Sequence, residues 1–531
     1  MKKRTFQTLI EMLAFRASEN PEKPAFFFEG KSFSYAELWR EINRFASFIS
    51  HKIAGRRDRI VLVLPNGREF FIAFYGVQLA GGIPVPVFHA SGAERIFSIS
   101  ALCDAKSVVI PASLLSQLKD VKDQDRKRRI PVVTMGQYKS SSLDGKFPEI
   151  SRNDIAFIQY TSGSTGNPKG VQLSHANIIT NMEQMIAGMK ITKKDIFVSW
   201  LPASHDMGLI LMTMVPFYLG VKLFLLSTNL INIRKWIEII HRNKATFTAA
   251  PDFGYRMVLL YIRNPVKFDL SSLRVALNAA EPVRARTVHV FEKTFGIANA
   301  MMPAYGLAEA TVGVSSWPPQ TRIKVDPRGF VSVGKGFPSV EIKILRKRQF
   351  ADSGVIGEIL VKSPANTCGY LNNPEENSRL FWKKEFIRTG DLGYFDKDGD
   401  FYIVGRKKNI IIQGGQNISP QEVEEAIDAL SFVRFSAAVG IDRDHWEGEQ
   451  VYVFAEVRAN ESSPENELIA MTIEIVRKFD SRLGFRPGRV YLVKPRSIPR
   501  TPNGKIMHSR LKSQYADGSL RRAGLILFPD Y

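Results

Sequence analysis

Tyr160-Thr-Ser-Gly-Ser-Thr-Gly-Asn-Pro-Lys-Gly170 decides how this chain is read. Gly163, Gly166 and Gly170 permit positive φ and a close approach of backbone to ligand. The hydroxyls of Thr161, Ser162, Ser164 and Thr165 surround them, and Lys169 is the one charge. Backbone N–H groups, hydroxyls and an ammonium together suit a polyphosphate. Asp154-Ile-Ala-Phe-Ile-Gln159 and Val171-Gln-Leu-Ser-His175 have strand texture on either side, so the segment is expected at the tip of a phosphate-binding hairpin. A Walker A loop is excluded, because that pattern needs a glycine before the lysine and Ser or Thr after it. Here Pro168 and Gly170 hold those places. A Gly/Ser linker would have the same composition.

At 531 residues the chain exceeds one ordinary core, so two or more domains are expected. Hydrophobic content of 44% and charged content of 24% exclude a disordered chain. Cys103 and Cys368 stand too far apart in sequence for a disulfide framework or a metal spacing, which points to a reduced, cytoplasmic setting. Glu11 and Arg16 interrupt the segment after the basic N-terminus, so no signal peptide is read there. Met207 to Leu226 is apolar except for Thr213 and Lys222, but Pro216 and Gly220 break it. A buried helix and strand is expected, not a membrane span. The net charge of +21 would attract nucleic acid, anionic membrane or an acidic protein. Its basic residues are scattered, with no aromatic pattern between them, so nucleic acid is not expected as a partner. Peripheral membrane contact stays open, as does the oligomeric state.

Residues 1 to 150 alternate helical and strand-like segments: Tyr35 to Ile53 helical, Arg59 to Leu64 a strand, Phe70 to Leu79 helical, Gly81 to Val87 leading into a strand. Such alternation predicts an α/β fold with a largely parallel sheet. Lys119 to Arg129 reads as a solvated helix and loop. Nothing in this region is expected to carry chemistry. Residues 196 to 210 run from a strand into a polar corner at His205-Asp206, which on residue type alone could be a satisfied core pair.

The eleven-residue string resembles the phosphate loop of the acyl-adenylate-forming (ANL) superfamily of AMP-dependent synthetases and ligases. Phe247 to Arg256 and Asp269 to Pro282 narrow that resemblance to the fatty acyl-AMP ligases, and the matching motifs run from about residue 5 to about residue 515. The resemblance implies a large N-terminal domain of stacked αβ layers (1–405) and a smaller, mobile α+β C-terminal domain (406–531), hinged near Lys408. By the same resemblance Thr161, Ser162, Gly163, Ser164, Thr165, Gly166 and Lys169 hold ATP phosphates. Ala280 and Glu281 line the adenine side, and Tyr305 of Tyr305-Gly306 stacks on the base. Glu309 carries Mg²⁺, a cation that wants hard oxygen ligands. Asp391 takes the ribose hydroxyls and Arg406 the ribose or phosphate side. His205 orients the acid, with the apolar run beyond it as a tunnel wall. Lys505, in Ile498-Pro-Arg-Thr-Pro-Asn-Gly-Lys505, reaches the carboxylate and α-phosphate during adenylation.

The implied reaction joins a medium- or long-chain fatty acid to AMP. The acyl group then passes to the phosphopantetheine thiol of an acyl carrier protein, the expected partner. CoA is the alternative acceptor. Only about twenty residues separate Thr311 from Val331-Ser-Val-Gly334, where fatty acyl-AMP ligases usually carry an insert. Gln413-Gly-Gly-Gln-Asn-Ile-Ser-Pro420 looks more like CoA ligases. A non-catalytic nucleotide-binding subunit is the remaining alternative.

Overall fold

A computed structural model describes residues 5–51, 56–116, 130–141, 143, 145–161, 168–228, 233–413, 416–442, 449–460, 462–501 and 505–529. Among these, nine strands form a mixed sheet whose six inner members run parallel, in the order Met301–Tyr305, Val275–Asn278, Phe247–Ala250, Ile196–Ser199, Lys222–Leu225, Pro24–Phe28. Runs such as Phe247-Thr-Ala-Ala and Val275-Ala-Leu-Asn are buried at every position, as expected where helices cover both faces of a parallel sheet. Ile83–Pro86, Arg59–Leu62, Ser107–Ile110 and Val132–Thr134 make a second, wholly parallel sheet. The architecture is α/β in stacked layers.

The segment up to residue 150 is not one unit, however. The hairpin Pro24–Phe28/Lys31–Ser34 leaves its neighbours in sequence and completes the large sheet, with Phe27 opposite Phe224 and their rings stacked at 4.7 Å. The charged run from Lys119 to Arg129 lies outside the described residues.

Met207 to Leu226 folds as the helix-then-strand expected of it. Met207–Met214 is a π-helix, Val215–Leu219 an α-helix closed by left-handed Gly220, and Lys222–Leu225 a strand. Gly208 is required at the π-helix entrance: a Cβ there would lie 2.2 Å from the Pro202 carbonyl oxygen. Among the described residues no helix is long and apolar enough to cross a membrane.

Beyond the large sheet, Glu341–Arg346, Gly357–Lys362 and Phe386–Phe395 pair antiparallel, and Phe401–Arg406 adds to the last. Residues after 410 have a hydrophobic core of their own, built on Val433–Asp442, Glu449–Val457 and Arg489–Val493 and covered by Pro420–Asp428 and Glu465–Leu483. This C-terminal unit is docked on the rest of the chain. Phe253, from the helix Asp252–Tyr261, is buried in one cluster with Phe435, Tyr452 and Tyr491.

Candidate active site

The strands on either side of the quoted stretch form a hairpin. Ile155–Thr161 and Lys169–Ser174 pair antiparallel down to Thr161 opposite Lys169. Ser162, Gly163, Ser164, Thr165 and Gly166 lie outside the described residues. Lys169 is not unengaged. It forms an ion pair with Glu376, and its ammonium sits 5.2 Å from the centre of the Tyr370 ring. Tyr370 in turn donates its hydroxyl to Glu309 Oε1 at 2.8 Å, leaving the second carboxylate oxygen for another partner.

Asp391 and Arg406 face each other across antiparallel strands, the register that brings side chains closest. Arg406 Nε lies 2.6 Å from Asp391 Oδ1, and the Tyr305 hydroxyl donates to Oδ2 at 2.6 Å. A carboxylate offers about four lone-pair sites, so two remain for ribose hydroxyls. Beside Asp391, Gly390 has φ +69° and open space where a side chain would stand. The Tyr305 ring meets Phe401 edge-on at 5.8 Å.

His205 Nδ1 lies 2.7 Å from Asp206 Oδ1, which also accepts from the Met207 N–H at 2.7 Å and so caps the π-helix. Asp206 is buried, yet its carboxyl is held below the usual range by His205, the Met207 N–H and Lys505. The corner is fastened from the opposite sheet by Asn66, buried after the strand Arg59–Leu62. Its side-chain amide donates to the carbonyls of Leu201 (2.8 Å) and Leu226 (3.0 Å) and accepts from the Ala203 N–H (2.7 Å). Residues 1 to 150 therefore do serve the site, through one asparagine.

Ala280 sits at φ +71°, a left-handed conformation costly for a side chain with Cβ and of the kind that gathers at ligand-holding loops. Glu281 is committed to the protein: its Oε1 accepts from the Phe253 N–H. Burial, then the nearby Asp252 carboxylate, raises its pKa to about 7 against the pull of that N–H, Arg284 and Arg500.

Lys505 comes from the far end of the chain into the same space. Burial and then the Arg406 guanidinium push its pKa down, while Asp206, Asp391 and Glu281 oppose the shift. Lys408 is similarly lowered to about 8 by burial, Arg406 and Lys169. Arg406 thus acts on both Lys505 and Lys408, and Lys169 acts on Lys408 as well. Mutual repulsion of that kind is relieved by a polyanion such as a triphosphate. Glu309, with one oxygen held by Tyr370, has the chemistry of a hard-cation ligand. The residues present fit both ATP and Mg²⁺.

Sequence reasoning missed Asn66, Tyr370 and Glu376, which act by holding the residues it named. It also missed the ionic contact between the C-terminal unit and the rest. Asp428 takes Arg256 Nη1 at 2.7 Å and Arg284 Nη2 at 3.1 Å, and Arg256 further donates to the Arg434 carbonyl at 2.7 Å.

A family model described as AMP-binding enzyme matches residues 13–371. The chain belongs to that family. JamA of Moorena producens (strain JHB), a medium-chain-fatty-acid–[acyl-carrier-protein] ligase, is 30% identical over 98% of this chain and 97% of its own. A structure from studies of fatty acyl-adenylate ligases of E. coli and L. pneumophila superposes with a TM-score of 0.88 at 25% identity, covering 98% of this chain and 99% of that one. An ATP-bound RpMatB–BxBclM chimera does so with a TM-score of 0.83 at 25% identity, over 96% and 99%. As a member of the AMP-binding family the chain is an ATP-using, acyl-adenylate-forming ligase.

Proposed function

We propose that the protein activates a medium- or long-chain fatty acid as its acyl adenylate and transfers the acyl group to the phosphopantetheine thiol of an acyl carrier protein. The observation that carries the adenylation half is the convergence of Lys505 with Arg406, Asp206 and Asp391. One lysine, in this reading, serves both the ribose side and the acid-binding corner. In this reading the large domain spans 1–405 and the small mobile domain 406–531, hinged near Lys408.

The carboxylate oxygen attacks the α-phosphorus of ATP, a P–O bond forms, and the bond to pyrophosphate breaks. No protein nucleophile is needed, so positioning and charge neutralisation carry the rate. Asp391 orients the ribose, Tyr305 offers a ring face to adenine, and His205, held by Asp206, orients the acid. Lys505 stabilises charge on the phosphorus, and Lys169 exchanges Glu376 for phosphate oxygens. Mg²⁺, held by Glu309, would neutralise charge on the phosphates. The carrier-protein acceptor is supported by the name of JamA, a medium-chain-fatty-acid–[acyl-carrier-protein] ligase. A cytoplasmic setting fits Cys103 and Cys368, both free thiols.

The test combines purified protein, ATP, Mg²⁺ and dodecanoic acid with no acceptor, with CoA, or with phosphopantetheinylated carrier protein, read by mass spectrometry. Acyl-AMP without acceptor and acyl transfer to the carrier alone are expected. Rapid acyl-CoA formation would overturn the acceptor assignment, and no adenylate from any fatty acid would overturn the substrate class.

A further inference from the structure

The net charge of +21 is left unexplained by the active site, and one part of the surface concentrates it. The antiparallel sheet built on Glu341–Arg346, Gly357–Lys362 and Phe386–Phe395 carries short edge strands, Gln349–Phe350 on one side and Phe381–Trp382 on the other. Side chains from the two edges meet: Phe350 and Trp382 have ring centres 5.1 Å apart, and Phe386 lies 6.0 and 5.9 Å from the two. Each edge is joined to its neighbour by a tight turn with a pair of basic residues in the left-handed region. Lys347 and Arg348 have φ +46° and +67°, and Lys383 and Lys384 have φ +50° and +59°. The ring contacts therefore set two dibasic turns beside one aromatic cluster.

Lys343, Arg346, Lys347, Arg348, Lys362, Lys383 and Lys384 belong to this end of the molecule. The acidic residues among them are Glu341, 3.4 Å from Lys343, Glu385, 3.2 Å from Lys362, and the exposed Asp352, two residues after Phe350. Among the described residues Arg346, Lys347, Arg348, Lys383 and Lys384 have no carboxylate within salt-bridge distance. All five are exposed, and Phe350 between the turns is 49% exposed, an unusual state for a phenylalanine.

We propose that this end of the sheet is a docking surface for an anionic phospholipid bilayer. Unpaired lysines and arginines on long flexible stems suit a fluid layer of phosphate headgroups, which imposes no fixed geometry on them, and clusters of this size are attracted to anionic leaflets. A half-exposed aromatic ring such as that of Phe350 settles at the headgroup level of a bilayer. Phe386 and the ribose-side Asp391 lie on one strand, about 17 Å apart at roughly 3.3 Å per residue. If the chain activates a fatty acid, as proposed above, docking would hold its site near the layer in which such acids concentrate. The binding itself does not depend on that reading.

Flotation of the full chain with phosphatidylcholine vesicles, with and without phosphatidylglycerol, tests it in the absence of ATP and acid. Binding only to the anionic vesicles, weakened by added salt, is expected. Reversing the turns together (K347E, R348E, K383E and K384E) should lower partition at least about tenfold. F350S should lower it about threefold to fivefold with the salt dependence retained. The control K193E/K194E, on another exposed basic stretch, should stay within about twofold. ATP–pyrophosphate exchange with octanoic acid, run without vesicles, should be unchanged in every variant, which shows that each is folded. Equal loss in the control would mean diffuse charge and overturn the proposal. So would vesicle binding retained by the turn variants, including the case where they lose only carrier-protein loading. Vesicle binding without any exchange would leave this surface standing and sink the enzymatic reading instead.

Discussion

Asp428→Asn is expected to slow adenylate formation by about a hundredfold while sparing transfer of the acyl group. Asp428 closes the helix Pro420–Asp428 and lies against two arginines, Arg256 of the helix Asp252–Tyr261 at 2.7 Å and Arg284, which precedes the helix Ala285–Phe295, at 3.1 Å. Side-chain exposures of 5%, 13% and 11% mark the pairs as nearly dry. Removing one partner from a buried ion pair costs about 3–5 kcal/mol, because the remaining charge is stranded. Asparagine keeps the volume and one acceptor oxygen, and Arg284 keeps Asp252 Oδ2 at 3.4 Å, so the lower end, about 3 kcal/mol, applies. At about 1.4 kcal/mol per decade this moves the docking equilibrium by roughly a hundredfold. Lys505 reaches the site only while the C-terminal unit is docked, so the loss should fall on the step that needs Lys505. ATP–pyrophosphate exchange reads that step, and acyl transfer from added acyl-AMP reads the other. In a Lys505→Ala background the substitution should add nothing, since both act on one step. Equal slowing of both half-reactions, or a further hundredfold loss in the Lys505→Ala background, would refute the reasoning.

Lys505→Ala should lower exchange by about 10²–10³-fold or more, with ATP affinity from equilibrium dialysis nearly unchanged; exchange at the wild-type rate would remove the lysine from the mechanism. Tyr370→Phe deletes the 2.8 Å hydroxyl contact to Glu309 and should raise the Mg²⁺ concentration for half-maximal exchange about tenfold, with the plateau rate retained. Glu281, raised by burial and Asp252 to about 7, binds its proton more tightly folded than unfolded. Its contribution to stability is therefore full below the ordinary glutamate value and lost as pH rises toward about 7. In urea melts Glu281→Gln should flatten the fall in stability between roughly pH 4.5 and 7 relative to wild type. Glu425, also raised to about 7, leaves a residual slope in both proteins, and an unchanged difference between them would show that Glu281 is not the group titrating.

What could be read from the sequence was what repeats locally. The strand pattern on either side of residues 162–168 predicts a hairpin, and its register follows, Thr161 opposite Lys169. Gly220 cuts the apolar run at 207–226 where the helix ends, while Pro216 sits in the first turn of the helix Val215–Leu219. A period of two or of 3.6 reports which face of an element is buried, but not what covers it. That is why the Pro24–Ser34 hairpin could not be assigned to the large sheet: nothing in Pro-Ala-Phe-Phe-Phe names Lys222–Leu225 as its neighbour. The same holds for Asn66, 135 to 160 residues from the carbonyls it holds, and for Arg256, 172 residues from Asp428. A single asparagine or arginine has no pattern, since its partner is chosen by topology. Lys505 could be singled out only because whole-chain motif order stood in for that missing long-range information. The residues that order does not mark, Tyr370, Glu376 and Asp428, hold the marked ones in position through single side-chain contacts. Their substitution effects are thus the sharpest check on whether the geometry, and not the motif alone, governs the chemistry.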